Sequence, residues 1–180
     1  MLLSQPTKDA LYKLSQKFFQ MNRTWDNLLG YAGVKWAFSK FSSVFHGGYA
    51  HLFPLLADRV NEILLRYNEV PRYLVTLEDT RTYDTMLDMF ETNLDEHEEA
   101  YEMLKEAIDI ADANGDKNAA KELDALLRIF NRFMETAILL RDKAQVYGEA
   151  NRWAFDAFSD QFYVITDVYD ELTGGGDENN

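Results

Sequence analysis

The chain has 180 residues, 47% hydrophobic and 14% aromatic, with no cysteine and a formal net charge of −13. That length and composition fit one globular domain with a sizeable core and exclude a disordered polymer, while the lack of cysteine excludes disulfides, thiolate nucleophiles and thiolate metal sites. The charge opposes phosphate backbones and favours cations, so direct nucleic-acid binding is not expected. No run approaches the ~20 apolar residues of a membrane span, and the first residues lack the basic-then-apolar pattern of a signal peptide. A cytoplasmic protein with no membrane partner is expected.

Five stretches place apolar residues alternately three and four positions apart, the spacing of one face of a helix. The first runs from about Thr7 to about Phe38, with Leu11, Leu14, Phe18, Met21, Trp25, Leu28, Ala32 and Lys35 on one stripe and Pro6 at its entrance. After a break near Ser39 to Ser43, a second stripe carries Phe45, Tyr49, Leu52, Leu56, Val60, Ile63 and Tyr67; Gly47-Gly48 and Pro54 predict a kink or a late start there. Val70-Pro71 ends it, because a residue before proline avoids the helical region. Residues 72–81 form a long connection, and a crossover of that length lets the second and third helices run parallel, as in ferritin-like bundles.

The third helix spans about Thr82 to Ala113, with Leu87, Phe90, Leu94, His97, Tyr101, Leu104, Ile108 and Ala111 in line, and Asn114-Gly115 predicts a left-handed cap. The fourth starts at Asp116 and carries Ala119, Leu123, Leu126, Phe130, Phe133, Ala137, Leu140 and Ala144; the short turn makes it an antiparallel neighbour of the third. A fifth amphipathic helix is expected over about 149–172, with Phe155, Phe158, Phe162, Ile165, Tyr169 and Leu172 on its apolar side, followed by a polar tail over 173–180. The expected fold is all-α: one domain over 1–172, a four-helix bundle with a long crossover between helices two and three and an additional C-terminal helix.

Few polar residues stand out as chemistry. Asp58 and Glu62 lie one turn apart on one helix face, where like charges destabilise the helix unless water or a cation relieves them. Their bland reading is a solvated acidic face with Arg59 and Arg66 nearby. His51 shares that face but lies two turns from Asp58, about 10 Å away, so one helix cannot bring both to the same ion. A two-fold axis can. His46 beside Gly47-Gly48 is a ligand, a cap or an exposed ring, and the sequence does not choose. His97 within an apolar stripe reads as a buried imidazole bonded to a neighbour, or as a ligand inside the bundle. Interior di-iron sites use paired Glu-x-x-His motifs, and residues 94 and 65, where partners would fall, are leucines. Neither a nucleophile elbow nor a phosphate-binding glycine loop is present.

Asp58-Arg59-Val60-Asn61-Glu62 with Val70-Pro71 resembles the Asp-x-x-x-Glu segment that closes the second helix of the Dps-type mini-ferritins. Val34-Lys35 is similar to that family's first-helix ending, and Ala111 to Asp116 to its turn between helices three and four. The resemblance spans about residues 10–147. It implies a twelve-subunit shell of identical chains, iron as the metal, and a ferroxidase centre at a two-fold interface, with Asp58 and Glu62 as its carboxylates. The family's histidine positions fall on Tyr31 and Ser43, neither a good iron(II) ligand, and His46 or His51 near the same face are the substitutes. The lysine-rich tail that binds DNA in that family has no counterpart. Two alternatives remain beside this reading: a non-catalytic scaffold that has lost the metal, and a partner-binding module presenting the aromatic fifth helix.

Overall fold

The computed structural model describes residues 2–174. Four long rods form the bundle: α1 (Gln5–Lys35); a composite second rod of α2 (Ser39–Phe45), a π-turn (His46–Ala50) and α3 (Leu52–Arg66); α4 (Met86–Ala113); and α5 (Lys117–Tyr147). No strand occurs among the described residues. Rod α1 packs on α3 and α4, and α5 packs on α4 and α3, so the four close around one core. Ser4, just before α1, bonds Asp116, just after α4, which makes α1 and α4 antiparallel. Arg66 at the end of α3 pairs with Glu122 near the start of α5, so α3 and α5 are antiparallel and α3 runs parallel to α4. That is the arrangement expected from the long crossover.

The stripes read from the sequence face inward. Leu11, Leu14, Phe18, Met21, Trp25, Leu28 and Ala32 of α1 are buried, as is every apolar residue of the α5 stripe. Burying one such Leu or Phe contributes about 1.5–3 kcal/mol. The α4–α5 turn closes as expected, with Gly115 at φ +82° and Asp116 N–H donating to Ala111 O at 2.9 Å. The α1 boundaries differ from expectation. Ser4, not Thr7, caps the helix, its hydroxyl accepting from Thr7 N–H at 3.3 Å. The helix also ends at Lys35, because Ala37 turns left-handed at φ +57° and sends Phe38 N–H back to Ala32 O. The break therefore lies at 36–38 rather than 39–43.

The crossover is longer than expected, from Tyr67 to Thr85, and has no regular structure of its own. A polar ladder on α1 holds it. Gln16 donates to Val75 O, Gln20 engages Leu77 N–H and C=O at 2.6 and 3.1 Å, Arg23 donates to Thr76 Oγ1 at 2.7 Å, Asn27 to Arg81 O at 3.1 Å, and Tyr31 to Tyr83 O at 2.6 Å. Spacings of four, three, four and four put these five side chains on one helix face. Four of the five satisfy backbone groups that an irregular segment would otherwise leave to water, and Arg23 holds the Thr76 hydroxyl.

The fifth helix is a correction. Residues 149–173 are not one rod but a chain of short pieces: a 3₁₀ turn (Glu149–Asn151), α6 (Arg152–Ala157), a second 3₁₀ turn (Ser159–Phe162) and α7 (Val168–Thr173). Phe155, Phe162, Ile165, Val168 and Leu172 are buried, whereas Phe158 and Tyr169, expected on the apolar stripe, are 45% and 59% exposed. The breaks let the segment fold over the end of the bundle and bond to it. Asp156 accepts from Phe41 N–H at 2.8 Å, capping α2, whose own N-cap residue Phe38 offers no side-chain bond. Ser159 Oγ donates to Asp156 O at 2.7 Å and turns the chain there. Of the expected tail, Thr173 closes α7 and Gly174 caps it at φ +76°, and 175–180 lie outside the described residues.

Candidate metal centre

A defect in the second rod brings two histidines together. In a regular α-helix, positions five apart point about 140° away from each other. Residues 46–50 instead form a π-turn, closed by His51 N–H donating to His46 O at 3.3 Å. With about 4.4 residues per turn, positions five apart come within about 50°. The imidazoles of His46 and His51 accordingly meet, ring centroids 4.5 Å apart and inclined at 61°.

The local aromatic pattern favours this defect. Phe41, Phe45, Tyr49 and Phe53 are spaced strictly four apart. A continuous α-helix would rotate that row by about 40° at each step and carry it off the core, and the π-turn winds it back. All four rings pack on Trp25, with centroids at 6.4, 6.0, 4.5 and 6.5 Å. Side chains take up the carbonyls that the widened turn presents: Tyr163 Oη donates to Gly48 O at 2.7 Å, and Asn22 Nδ2 to Ala50 O at 3.0 Å.

Asp26 follows Trp25 on α1 and projects on the outer side of the same contact. Its Oδ1 lies 3.8 Å from His46 Nε2. One ligand atom from each of Asp26, His46 and His51 lies within 4.8 Å of the other two, and all three residues are exposed. Three donors bonded at about 2.1 Å to one tetrahedral ion lie about 3.4 Å from one another, so binding an ion requires the three exposed side chains to rotate closer together. Two imidazoles and one carboxylate suit iron(II), zinc and their neighbours, and poorly suit calcium or magnesium.

His97 is the opposite case. It is fully buried, its Nδ1–H donates to Asn93 O at 2.8 Å, and its Nε2 accepts from Tyr49 Oη at 2.8 Å. A carbonyl can only accept, which fixes the Nδ1–H tautomer and the direction of the tyrosine bond. Burial pushes the imidazole pKa down to about 4, so it is neutral. The rings of Trp25, Phe53 and Phe130 surround it. Both nitrogens are used, and His97 joins no group of three ligand atoms among the described residues, so its surroundings do not fit an iron centre.

Asp58 and Glu62 lie further along α3 and join no group of three ligand atoms among the described residues. Glu62 accepts from Arg59 at 3.0 Å and lies 3.7 Å from Arg66. Asp58 is exposed, and its pKa is raised by partial burial and then by the Glu62 charge. Tyr31 is tied to the crossover through Tyr83 O. Ser43 lines a shallow depression with Asp26, Gly30 and His46, so the region of the substituted histidine positions adjoins the triad. Sequence reasoning singled out both surface histidines but missed Asp26, which has no motif around it. The signal that united them was the four-residue aromatic spacing across Gly47-Gly48.

Solved structures similar to this chain include ferritins. An open-pore ferritin from the hyperthermophilic archaeon Archaeoglobus fulgidus aligns over 88% of this chain and 94% of its own, with TM-score 0.79 and 14% identity. A mycobacterial bacterioferritin aligns over 87% and 94%, with TM-score 0.68 and 16% identity. A humanized archaeal ferritin aligns over 88% and 94%, with TM-score 0.74 and 13% identity. No family model and no curated protein matches the sequence. The chain has the ferritin-like four-helix fold. No helix among the described residues is long and apolar enough to cross a membrane.

Proposed function

We propose that this chain is a ferritin-fold protein that captures a divalent cation, iron(II) foremost, at Asp26, His46 and His51 on the outside of the bundle, and that it works as a homo-oligomer. The observation that carries the reading is the convergence of those three donors. Two histidines and one carboxylate with open positions are a donor set of iron(II) sites, and a net charge of −13 concentrates cations at the surface. The fold likeness to ferritins supports iron as cargo. The mini-ferritin resemblance adds a closed shell, twelve chains in that family, with Asp58 and Glu62 facing a neighbouring chain. Oxidation of the captured iron by peroxide or dioxygen would make it a ferroxidase.

Anaerobic iron(II) titration with light scattering tests this. Wild type is expected to bind stoichiometrically as an oligomer, and His46→Ala/His51→Ala to lose that binding. Asp58→Ala/Glu62→Ala reports whether those carboxylates contribute across an interface; a change in its stoichiometry would add them to the site. Equal binding by wild type and the histidine variant would dispose of the triad. One observation favours a second reading, a scaffold without metal: aromatic rings and a fully engaged histidine fill the bundle centre. That reading expects no metal in the purified protein and an oligomer indifferent to chelator.

A further inference from the structure

We propose that the C-terminal segment regulates the metal centre: docking of Tyr163 on Gly48 holds the π-turn in which His46 and His51 meet, so cation binding and segment docking strengthen each other. The inference rests on the triad reading above.

The segment grips the second rod at two points, one on each side of Phe45. Asp156 caps the start of α2 through Phe41 N–H, and Tyr163 donates to Gly48 O inside the π-turn at 2.7 Å. The Tyr163 ring also meets Phe45 edge-on, at 5.7 Å and 84°. Only glycine permits that approach, since a Cβ at Gly48 would lie 2.8 Å from Tyr163 Oη. The segment is seated by Phe162, Ile165 and Val168, all buried, and by the ion pair of Arg132 with Glu171.

Two registers of the rod differ in what they offer a cation. In the π register, His46 and His51 stand side by side over Asp26. If the turn relaxed to α-helical winding, the same imidazoles would point about 140° apart and no single ion could take both. A ligand that binds only the π register shifts the balance toward it, as does a hydrogen bond made only there. Coupling of that kind is reciprocal: whatever Tyr163 adds to cation affinity, the cation adds to docking of the segment. Tyr163 is therefore a positioning residue, and it never touches the ion.

Zinc(II), which has no redox chemistry, is the probe, with the full chain and calorimetric titration. Tyr163→Phe removes only the hydroxyl and is expected to weaken zinc binding about tenfold. Gly48→Ala drives the ring away and favours α winding, and is expected to weaken it further. Tyr169→Phe, on the same segment but exposed, is expected to bind as wild type. In the reverse direction, zinc should slow amide exchange over residues 159–168 in wild type and not in His46→Ala/His51→Ala. Wild-type affinity in Tyr163→Phe, or exchange unaltered by zinc, overturns the coupling while leaving the site intact. Failure of wild type to bind zinc through His46 and His51 removes the site and the coupling together. Should Gly48→Ala not fold, Tyr163→Phe carries the test alone.

Discussion

The three histidines of this chain occupy two environments that differ in every respect relevant to chemistry. His97 sits among aromatic rings with both nitrogens engaged and its charge suppressed by burial. His46 and His51 sit at the surface beside a carboxylate, where water competes for their nitrogens but no protein group claims them firmly. In a ferritin-like bundle the interior is the obvious place to look for a metal. Here His97 lies in a packed core with both nitrogens engaged, and the candidate donors Asp26, His46 and His51 lie on the outside of the bundle. Residue type alone does not separate a structural histidine from a binding one; the state of its lone pairs does.

The largest expected effect separates the two environments directly. His46→Ala/His51→Ala should cost at least about 100-fold in iron(II) or zinc(II) affinity by titration, more than the roughly 10–100-fold typical when only the groups supporting a ligand are removed. Any His97 variant that folds should bind the same number of ions. Stability reverses the order. His97→Ala removes a packed ring and leaves the Tyr49 hydroxyl only its longer bond to Phe133 O, a loss on the order of 3 kcal/mol in urea unfolding, whereas the surface pair should change stability little.

Acid should report on the core histidine. Its folded pKa of about 4 lies below the ordinary 6.5, so the unfolded chain takes up the proton first. Its contribution is complete above about pH 6.5, is lost as pH falls toward 4, and amounts to up to about 3 kcal/mol. Replacing the pair together, Tyr49→Phe/His97→Leu, should flatten the unfolding free energy between pH 6.5 and 4.5. An unchanged slope would mean that His97 is not the titrating group. The smallest effect concerns the remote cap. Asp156→Ala should cost about 1 kcal/mol, the usual loss for an N-cap, read as a lower urea midpoint with an unchanged slope.

The sequence made the bundle legible because α1, α4 and α5 obey the helical period over many turns, and a buried face cannot slip without exposing itself. The ends of α1 were harder. Ser4 and Thr7 are both plausible caps, and only the bond from Ser4 to Asp116 decides between them. The fifth helix misled because Phe155, Phe162, Ile165 and Leu172 fit a helical stripe and are indeed buried, though by a folded-back segment in place of a rod. Its breaks come from long-range bonds, such as Asp156 to Phe41, that leave no local trace. Two of the three candidate donors were visible. The two histidines were read near the face of Asp58 and Glu62 and not as a pair with each other, and Asp26 looked like any other surface acid. Only the winding of the π-turn brings the three together.

The reach of Asp156 back to Phe41 has a temporal side. A nascent chain emerges N-terminus first, so the short helix at 39–45 waits for more than a hundred further residues before its first turn is finished. Until then that first turn has no side chain to finish it, so the rod that carries both surface imidazoles gains its cap only when the closing segment has been made.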